Sequence, residues 1–263
     1  MPRVRHPADL SSTGRLPGSP LWARVINGPV RSRRLGRSLG LNIIPPRSKL
    51  CSFDCPYCEC GFNTAKAKGE KWPSPDVVAD ALRKALTFGG ARPEWITFAG
   101  NGEPTMHPRF PTVVERVLGV RDEIAPGAKV GVLTNGMHLE NEAVVGALNR
   151  VDARMVKLDP GPPERVNGRA CDRAKLVATW RGAGLRELVI QAMVVEGPGW
   201  SGASKEAVAD WLTLLALARP AAVHVYSLDR PPADRSITGV ARERLQTIAA
   251  RARGVVNGPV LVF

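Results

Sequence analysis

Short apolar segments alternate with longer amphipathic segments along most of this chain. The apolar segments are rich in β-branched residues and predict six strands, at residues 41–44, 95–99, 130–134, 155–158, 187–195 and 222–228. After each strand, apolar positions recur at helical spacing, over residues 75–88, 109–124, 139–149, 163–182, 203–218 and 239–252. Strands and helices therefore follow one another in a regular order.

A strand–helix–strand alternation of this kind predicts right-handed crossovers and a mainly parallel sheet. The sheet is either doubly wound or curled into a barrel, and the chain has no room for the eight units of a full barrel. We therefore predict an α/β fold, a partial (β/α)6 TIM-like barrel. In such barrels the chemistry gathers where the strands end and the following loops begin.

The composition is that of a globular protein with one sizeable core. The 263 residues are 44% hydrophobic and 23% charged, which excludes collagen, a coiled coil and full-length disorder. No uninterrupted apolar stretch of membrane-spanning length occurs, and the N-terminus lacks the apolar region of a secretory signal. We expect a cytoplasmic protein without a membrane partner.

The positive charge is concentrated near the N-terminus. The chain carries a formal net charge of +13, of which +7 falls in residues 1–40, where eight arginines face one aspartate. Residues 1–20 are rich in Pro, Gly, Ser and Arg, so we predict a mobile basic leader there and a single domain over residues 21–263. The basic arm either contacts an anion or nucleic acid or is a solvated tail, and composition does not decide between these.

Four of the five cysteines fall within ten residues, at Cys51, Cys55, Cys58 and Cys60, whereas Cys171 stands alone. Without an export signal, such a group indicates metal or redox chemistry rather than disulfides. The first three have C-x3-C-x2-C spacing on the loop after the first predicted strand. Three thiolates can bind three irons of a cubane cluster and leave the fourth open to another ligand. A closed zinc site that includes Cys60 is the alternative, although C-x-C spacing crowds two ligands.

This loop resembles the signature of the radical S-adenosylmethionine (SAM) enzymes, which have C-x3-C-x2-C with an aromatic residue before the last cysteine. The aromatic residue here is Tyr57. The resemblance implies a partial barrel of the radical SAM type with a [4Fe-4S] cluster on Cys51, Cys55 and Cys58. It also implies that the amine and carboxylate of SAM chelate the fourth iron and that Tyr57 lies against the adenine.

Polar residues follow the next two predicted strands as well. The second strand runs into Gly100-Asn-Gly102-Glu103, which looks like the Gly-Gly-Glu motif that recognises the SAM amino group in this family. Alone, these residues would be read as a turn with a capping acid. Asn135 follows the third strand, where a helical pattern resumes, and is a further candidate for SAM binding.

The remaining candidates lie on later strands and before the first one. Lys157 and Asp159 end the fourth strand, where family members contact the ribose or carboxylate of SAM, although a Lys–Asp pair at the barrel rim would look the same. Gln191 interrupts an apolar strand, so either hydrogen bonding within the core or contact with the cofactor would explain it.

Three residues are predicted to contact the substrate: Arg33, Arg34 and Tyr226. Arginine forks match phosphate geometry, but either arginine could instead pair with an acid of the barrel. The histidines show no spacing typical of a metal site, so we predict surface or core roles for His107, His138 and His224.

Residues 28–40, 98–105 and 156–159 together resemble one branch of the family, which contains the wyosine-forming tRNA enzymes and uncharacterised relatives. The similarity extends from about residue 25 to about residue 232. The wyosine enzymes are expected to hold a second cluster on three further cysteines upstream of the triad, whereas residues 1–50 here contain no cysteine. The resemblance therefore does not imply their pyruvate condensation on tRNA, and one cluster per chain is expected.

The expected function is that of a radical SAM enzyme that cleaves SAM to a 5′-deoxyadenosyl radical and abstracts hydrogen from an unidentified substrate. An external one-electron reductant such as flavodoxin or ferredoxin is implied. The expected substrate is a small or phosphate-bearing molecule, or RNA. Two alternatives stay open: a non-catalytic iron–sulfur or zinc protein that binds nucleic acid through its Arg-rich arm, and an activase of a glycyl-radical partner.

Overall fold

The computed structural model describes residues 21–64, 69–88 and 92–263. The predicted leader, residues 1–20, lies outside the described residues. Eleven strands occur in the described part of the chain: β1 Ile26–Ser32, β2 Gly36–Leu41, β3 Trp95–Phe98, β4 Lys129–Thr134, β5 Ala153–Lys157, β6 Leu188–Met193, β7 Val195–Gly197, β8 Trp200–Ser201, β9 Ala222–Tyr226, β10 Thr238–Gly239 and β11 Val260–Val262. The helices there are α1 Pro75–Phe88, α2 Phe110–Ile124, α3 Glu142–Leu148, α4 Pro163–Val166, α5 Arg173–Gly182, α6 Lys205–Ala218 and α7 Arg242–Arg253.

Eight of these strands form one curled sheet in the order β1-β2-β3-β4-β5-β6-β9-β11. All neighbouring pairs are parallel except β1 and β2, which form an antiparallel hairpin. Six parallel strands alternate with helices, and β11 adds a seventh after α7. The predicted α/β class and partial (β/α)6 barrel are confirmed. Short strands β10, β7 and β8 form a separate three-stranded sheet.

The two faces of the curled sheet differ in polarity. Side chains alternate between the faces of a strand. One face packs with the helices into the main hydrophobic core through residues that include Leu39, Leu41, Ile96, Phe98, Val130, Val132, Val156, Ile190, Val223 and Val225. The strand register places a second set on the opposite face, here called the inner face: Asn27, Ser38, Thr97, Met155, Lys157, Gln191, His224 and Tyr226. Polar side chains therefore collect inside the half-barrel.

The start of the sheet differs from the sequence prediction. The first parallel strand ends at Leu41 instead of beginning there, and an antiparallel strand precedes it. The hairpin turn between them contains Arg33 and Arg34 and closes at Gly36, whose φ of +64° suits glycine. This segment is rich in Gly and Arg and has little apolar alternation, so its pattern was not that of a strand.

The predicted helix over residues 163–182 is two helices, because the chain turns at Asn167-Gly168. Gly168 has a φ of +65°, and a Cβ there would overlap the Asp54 carbonyl of the cysteine loop. The predicted strand over 187–195 is likewise interrupted at Val194, whose N–H donates to the Tyr226 carbonyl. No helix within the described ranges has the length and apolarity needed to cross a bilayer.

Candidate functional site

The cysteine loop leaves the carboxyl end of β2 and is held against the loop that follows β3. The Leu50 N–H donates to the Asn101 carbonyl at 3.0 Å, and the Glu103 N–H donates to the Leu50 carbonyl at 2.9 Å. Gly102 lies between them with a φ of +151°, and a Cβ there would overlap the Leu50 carbonyl oxygen. A Cβ on Gly100 would overlap Asn42 in the same way. Gly102 thus lets the two loops pack backbone against backbone, and Gly100 leaves room for the Asn42 residue at the end of β2.

The three thiols of the C-x3-C-x2-C motif share one apolar environment. Cys55 is buried, whereas Cys51 and Cys58 are half-buried. All three pack in or against a second hydrophobic cluster, separate from the main core, formed by Phe53, Cys55, Tyr57, Val166, Val195 and Ile237. Two amides face the sulfurs: Asn135 Nδ2 lies 3.5 Å from Cys51 Sγ, and Asn167 Nδ2 lies 3.8 Å from Cys55 Sγ. N–H groups directed at sulfur favour the thiolate form.

The thiols differ in acidity. Burial raises the pKa of Cys51 to about 12 and that of Cys55 to about 11. A hydrogen bond with Cys60 and the nearby Lys49 ammonium lower the pKa of Cys58 to about 6. Cys60 also donates to the Gly100 carbonyl at 3.4 Å. Of the three motif thiols, Cys58 is therefore the one most readily deprotonated before a metal binds.

The donor set of this loop suits an iron–sulfur cluster. Among the described residues, no group of three or more His, Cys, Asp or Glu side chains is arranged to hold one metal ion. A zinc site would need its thiolates within bonding distance, about 2.3 Å, of one point. Three thiols in a shared apolar cluster with amide N–H donors suit the larger, anionic [4Fe-4S] unit.

Glu103 is fully buried and joins the ends of β3 and β4. Its Oε1 accepts hydrogen bonds from the Thr105 N–H, the Thr105 hydroxyl and the Thr134 hydroxyl, at 3.1, 2.6 and 2.7 Å. From the described part of the chain, its Oε2 accepts only the Asn135 N–H, at 2.7 Å. Burial raises the pKa of this carboxyl, and the four donors offset part of the effect. Oε1 already accepts three hydrogen bonds, so Oε2 is the oxygen that can accept a further hydrogen bond from a ligand.

Asn135 connects the end of β4 to the cysteine loop. Its side-chain Nδ2 lies 2.8 Å from the Ser52 hydroxyl, and its Oδ1 accepts the Met137 N–H at 3.0 Å. Because its backbone N–H bonds Glu103, this residue touches both the loop and the buried acid. The predicted candidates on β3 and β4 thus lie together beside Cys51.

Tyr57, Lys157 and Asp159 form a buried network. The Tyr57 hydroxyl donates to Asp159 Oδ2 at 2.5 Å, and Asn167 Nδ2 donates to the same oxygen at 2.8 Å. Asp159 Oδ1 accepts the Met193 N–H at 2.7 Å and lies 3.3 Å from Lys157 Nζ. Burial alone would lower the pKa of Lys157, but the Asp159 carboxylate raises it, so this ammonium stays charged.

Gln191 belongs to a third group of side chains, deeper on the inner face. Its Oε1 accepts from Arg34 Nη1 at 2.9 Å and from the Tyr226 hydroxyl at 3.3 Å. Lys157 Nζ bonds the same hydroxyl at 3.0 Å and so joins this group to the Asp159 network. Arg34 and Tyr226 therefore face the interior, whereas Arg33 forms an exposed 3.4 Å ion pair with Asp229.

Sequence reasoning missed several residues of the site. Lys49 is 2% exposed, lies beside Cys51 and Cys58 and pairs with Asp54 at 3.2 Å. Asn167 reaches both Cys55 and Asp159, and His224 neighbours Gln191 on the next strand. A signal existed for His224, because it shares period-two spacing with Tyr226. None existed for Asn167, whose segment was read as helix.

The family model described as the radical SAM superfamily matches residues 46–212, a span that contains the cysteine loop and strands β3 to β6. This chain belongs to the radical SAM superfamily, a class of iron–sulfur enzymes whose cofactors are a [4Fe-4S] cluster and SAM.

Curated relatives give no more specific identity. A UPF0026 protein of Synechocystis sp. is 28% identical over 90% of this chain and 95% of its own length. A UPF0026 protein of Helicobacter pylori is 27% identical over 79% of this chain and 67% of its own length. A protein of Brachyspira hyodysenteriae named GTPase Obg is 33% identical over 54% of this chain, which spans only 20% of that relative.

Solved structures agree in fold. The SAM-bound SuiB of Streptococcus suis matches with a TM-score of 0.59 and 16% identity, over 85% of this chain and 50% of its own. Coproporphyrinogen III oxidase of Escherichia coli, described as a radical SAM enzyme, matches with a TM-score of 0.51 and 16% identity, over 86% of this chain and 52% of its own. The chain thus spans about half the length of these two structures. The matches indicate a shared fold.

Proposed function

We propose that this chain reductively cleaves SAM and uses the resulting radical to abstract hydrogen from a substrate bound inside the half-barrel. The observation that carries the proposal is the joining of the C-x3-C-x2-C loop, through the Tyr57–Asp159 hydrogen bond, to the end of β5. In parallel barrels that end of the strands is where ligands bind. We further propose that residues 21–263 form one domain.

The three thiols Cys51, Cys55 and Cys58 would hold the [4Fe-4S] cluster. When bound, the cluster and SAM together supply a 5′-deoxyadenosyl radical. The protein contributes thiolate ligands, orientation and exclusion of water. Asn135 and Asn167, which face two of the sulfurs, keep donors directed at the ligands.

Glu103 Oε2 would accept the amino group of SAM, because it is the carboxylate oxygen with spare acceptor capacity beside Cys51. Asn135 would contribute to the same pocket. Gly100 and Gly102 would act indirectly, by letting the loop that carries Glu103 pack against Asn42 and the cysteine loop.

Tyr57, Lys157 and Asp159 would form the wall against which the adenosyl part of SAM lies. The Lys157 ammonium lies 4.7 Å from the centre of the Tyr57 ring, and Asp159 fixes the tyrosine hydroxyl. A ring held this firmly gives the adenine a defined surface. Gln191, Arg34 and Tyr226 lie further inside, on the side we assign to the substrate, with Arg33 outside it.

Cluster assembly tests the proposal. The protein would be reconstituted anaerobically with iron and sulfide, and its iron content and electron paramagnetic resonance spectrum recorded after reduction, with and without SAM. We expect a reduced cluster signal that SAM changes, absent in Cys55→Ala and retained in Cys171→Ala, a matched control outside the motif. Stoichiometric zinc uptake in place of a cluster would contradict the proposal and favour a non-catalytic metal protein.

An external one-electron donor of the flavodoxin or ferredoxin type would supply the electron. Its identity is a separate question from cleavage, since dithionite replaces it in the assay. An activase of a glycyl-radical enzyme would differ in forming a stable complex with its protein partner.

A further inference from the structure

The orientation of the Gln191 amide is fixed by its neighbours. Arg34 can only donate hydrogen bonds, so the atom that faces its Nη1 at 2.9 Å must be the carbonyl oxygen Oε1. The Tyr226 hydroxyl bonds the same oxygen. A flipped amide would place its NH2 group against a guanidinium. The amide nitrogen Nε2 is therefore turned away, and it is buried without a hydrogen-bond partner among the described residues.

A second polar side chain beside Gln191, that of His224, also has a buried atom that lacks a hydrogen-bond partner among the described residues. His224 pairs with Gln191 across β6 and β9, so the two side chains share the inner face. Its Nδ1 is also buried and has no hydrogen-bond partner within the described ranges. Burial and the nearby Arg34 lower the pKa of His224 to about 4, so the ring is neutral at physiological pH. A neutral imidazole still carries one N–H donor.

The charge around these two residues is positive. No carboxylate lies within ion-pair distance of Arg34 among the described residues, and its guanidinium stacks 4.3 Å from the centre of the Tyr226 ring. Lys157 contributes a second, half-buried cation, and Asp159 is its ion-pair partner. Two cations therefore face one carboxylate. Buried donors without acceptors are rare in native proteins and call for an explanation.

We infer that Arg34, Gln191 and His224 form an oxyanion-binding subsite, and that the substrate carries a carboxylate or phosphate group bound there. This inference rests on the proposed function, since it names the substrate class of that reaction. An oxyanion would accept from Arg34, from Gln191 Nε2 and from His224 protonated at Nδ1, and it would balance the excess positive charge. A cationic substrate would instead add to the positive charge, and a neutral acceptor would leave that charge unbalanced.

The subsite also gives the β1–β2 hairpin a role. Arg34 belongs to the hairpin turn, yet its guanidinium reaches β6 and β9 on the far side of the sheet. Arg33 of the same turn pairs with Asp229, just after β9. The hairpin turn thus spans the open side of the half-barrel and delivers one charged group into it.

Calorimetric titration tests the subsite without the radical reaction. Cluster-loaded protein with SAM, but without reductant, would be titrated at low ionic strength with acetate, with inorganic phosphate and with acetamide. Acetamide matches acetate in shape but lacks its charge. We expect at least one of the two anions to bind and acetamide not to bind. A preference for acetate identifies a carboxylate substrate, and a preference for phosphate identifies a phosphorylated one.

Substitutions at Arg34 and Gln191 test whether the anion binds at the proposed subsite. Arg34→Met should weaken anion binding by about tenfold or more, because a charged hydrogen-bond donor is lost. Gln191→Glu keeps the side-chain volume but places a carboxylate against Arg34, so it should abolish binding. Arg31→Met removes an exposed arginine of the same hairpin and should change the dissociation constant less than about twofold. Thermal unfolding of each variant verifies that it is folded.

The failures of the two proposals are distinguishable. If neither anion binds, or if binding survives unchanged in both Arg34→Met and Gln191→Glu, the subsite is wrong even when SAM is cleaved. If anion binding responds to the variants as expected but no SAM cleavage occurs under strong reduction, the proposed reaction is wrong, and the anion-binding site stands without a role in it.

Discussion

The Tyr57 hydroxyl donates a 2.5 Å hydrogen bond to the Asp159 carboxylate, although 102 residues separate the two in sequence. Tyr57 belongs to the cysteine loop, and Asp159 follows β5 by two residues. The bond therefore fixes the position of the loop relative to the middle of the sheet. Because both partners are buried, removing either one costs the other a hydrogen bond that water does not readily replace.

We predict that Tyr57→Phe lowers the free energy of unfolding by about 1–3 kcal/mol, because Asp159 loses one donor but keeps Asn167. Asp159→Asn should cost more, about 3–5 kcal/mol, because it also leaves the half-buried Lys157 ammonium without its carboxylate. Urea unfolding of the cluster-free protein measures both. Asp210→Asn, on the exposed side of α6, is the control, and equal effects of Asp159→Asn and this control would contradict the network.

A side chain at Gly102 should prevent cluster assembly. Its φ of +151° and the overlap of a Cβ with the Leu50 carbonyl mean that Gly102→Ala separates the two loops. We expect the iron content after reconstitution to fall to a small fraction of that of the unchanged protein. Gly119→Ala is the matched control, since Gly119 lies in α2 with open space around it and alanine there should stabilise the protein by about 0.5–1 kcal/mol. Full iron content in Gly102→Ala would disprove the packing argument.

In the cluster-free, reduced protein, Cys58 should be the first thiol of the motif to react with iodoacetamide. Its pKa of about 6 makes it mostly thiolate at pH 7, whereas burial keeps Cys51 and Cys55 protonated. Its rate should rise as the pH increases through 6 and then level off. Mass spectrometry of the alkylated peptides identifies the site, and faster reaction of Cys51 or Cys55 would contradict the assignment.

The Cys60→Ala variant tests whether Cys60 affects only the pKa of Cys58 or also the binding of the cluster. Loss of the Cys60 hydrogen bond should raise the pKa of Cys58, so that alkylation slows at pH 7 but not at pH 9. We expect the variant to retain full iron content, because Cys60 is not one of the three proposed ligands. A parallel loss of iron would instead indicate that Cys60 binds metal.

Lys49 should tune the reduction potential of the cluster. Its buried ammonium lies beside Cys51 and Cys58, and it therefore stabilises the more negative, reduced state. Lys49→Met should lower the midpoint potential by an amount on the order of 50 mV, whereas Lys49→Arg should preserve it. A redox titration followed by electron paramagnetic resonance measures the shift. An unchanged potential in a fully loaded Lys49→Met protein would rule out this role.

The sequence predicted the parallel part of the fold because apolar periodicity records which strands are buried. Helix α1 occurs over the predicted residues, and β3 to β6 begin within two residues of their predicted starts. Periodicity failed at the β1–β2 hairpin, where glycines and arginines replace apolar alternation. It also failed at β11, which has only three residues.

The cysteine motif and the polar ends of the strands could be found in the same way, since each is a local pattern. The partners of these residues could not. Tyr57 and Asp159, or Arg34 and Gln191, meet only because the sheet curls and the hairpin crosses its open side. Gly102 was recognised as glycine beside a ligand, but its neighbour in the structure is the Leu50 carbonyl. Such contacts depend on tertiary packing, which no local pattern encodes.

Formation of 5′-deoxyadenosine tests the central claim most directly. Reconstituted protein would be incubated anaerobically with dithionite and SAM, and the products separated by chromatography, with Cys55→Ala treated in parallel. We predict 5′-deoxyadenosine and methionine from the unchanged protein and neither from Cys55→Ala. A protein that holds its cluster and binds SAM, yet forms no 5′-deoxyadenosine above the level of the variant, would contradict the radical reaction.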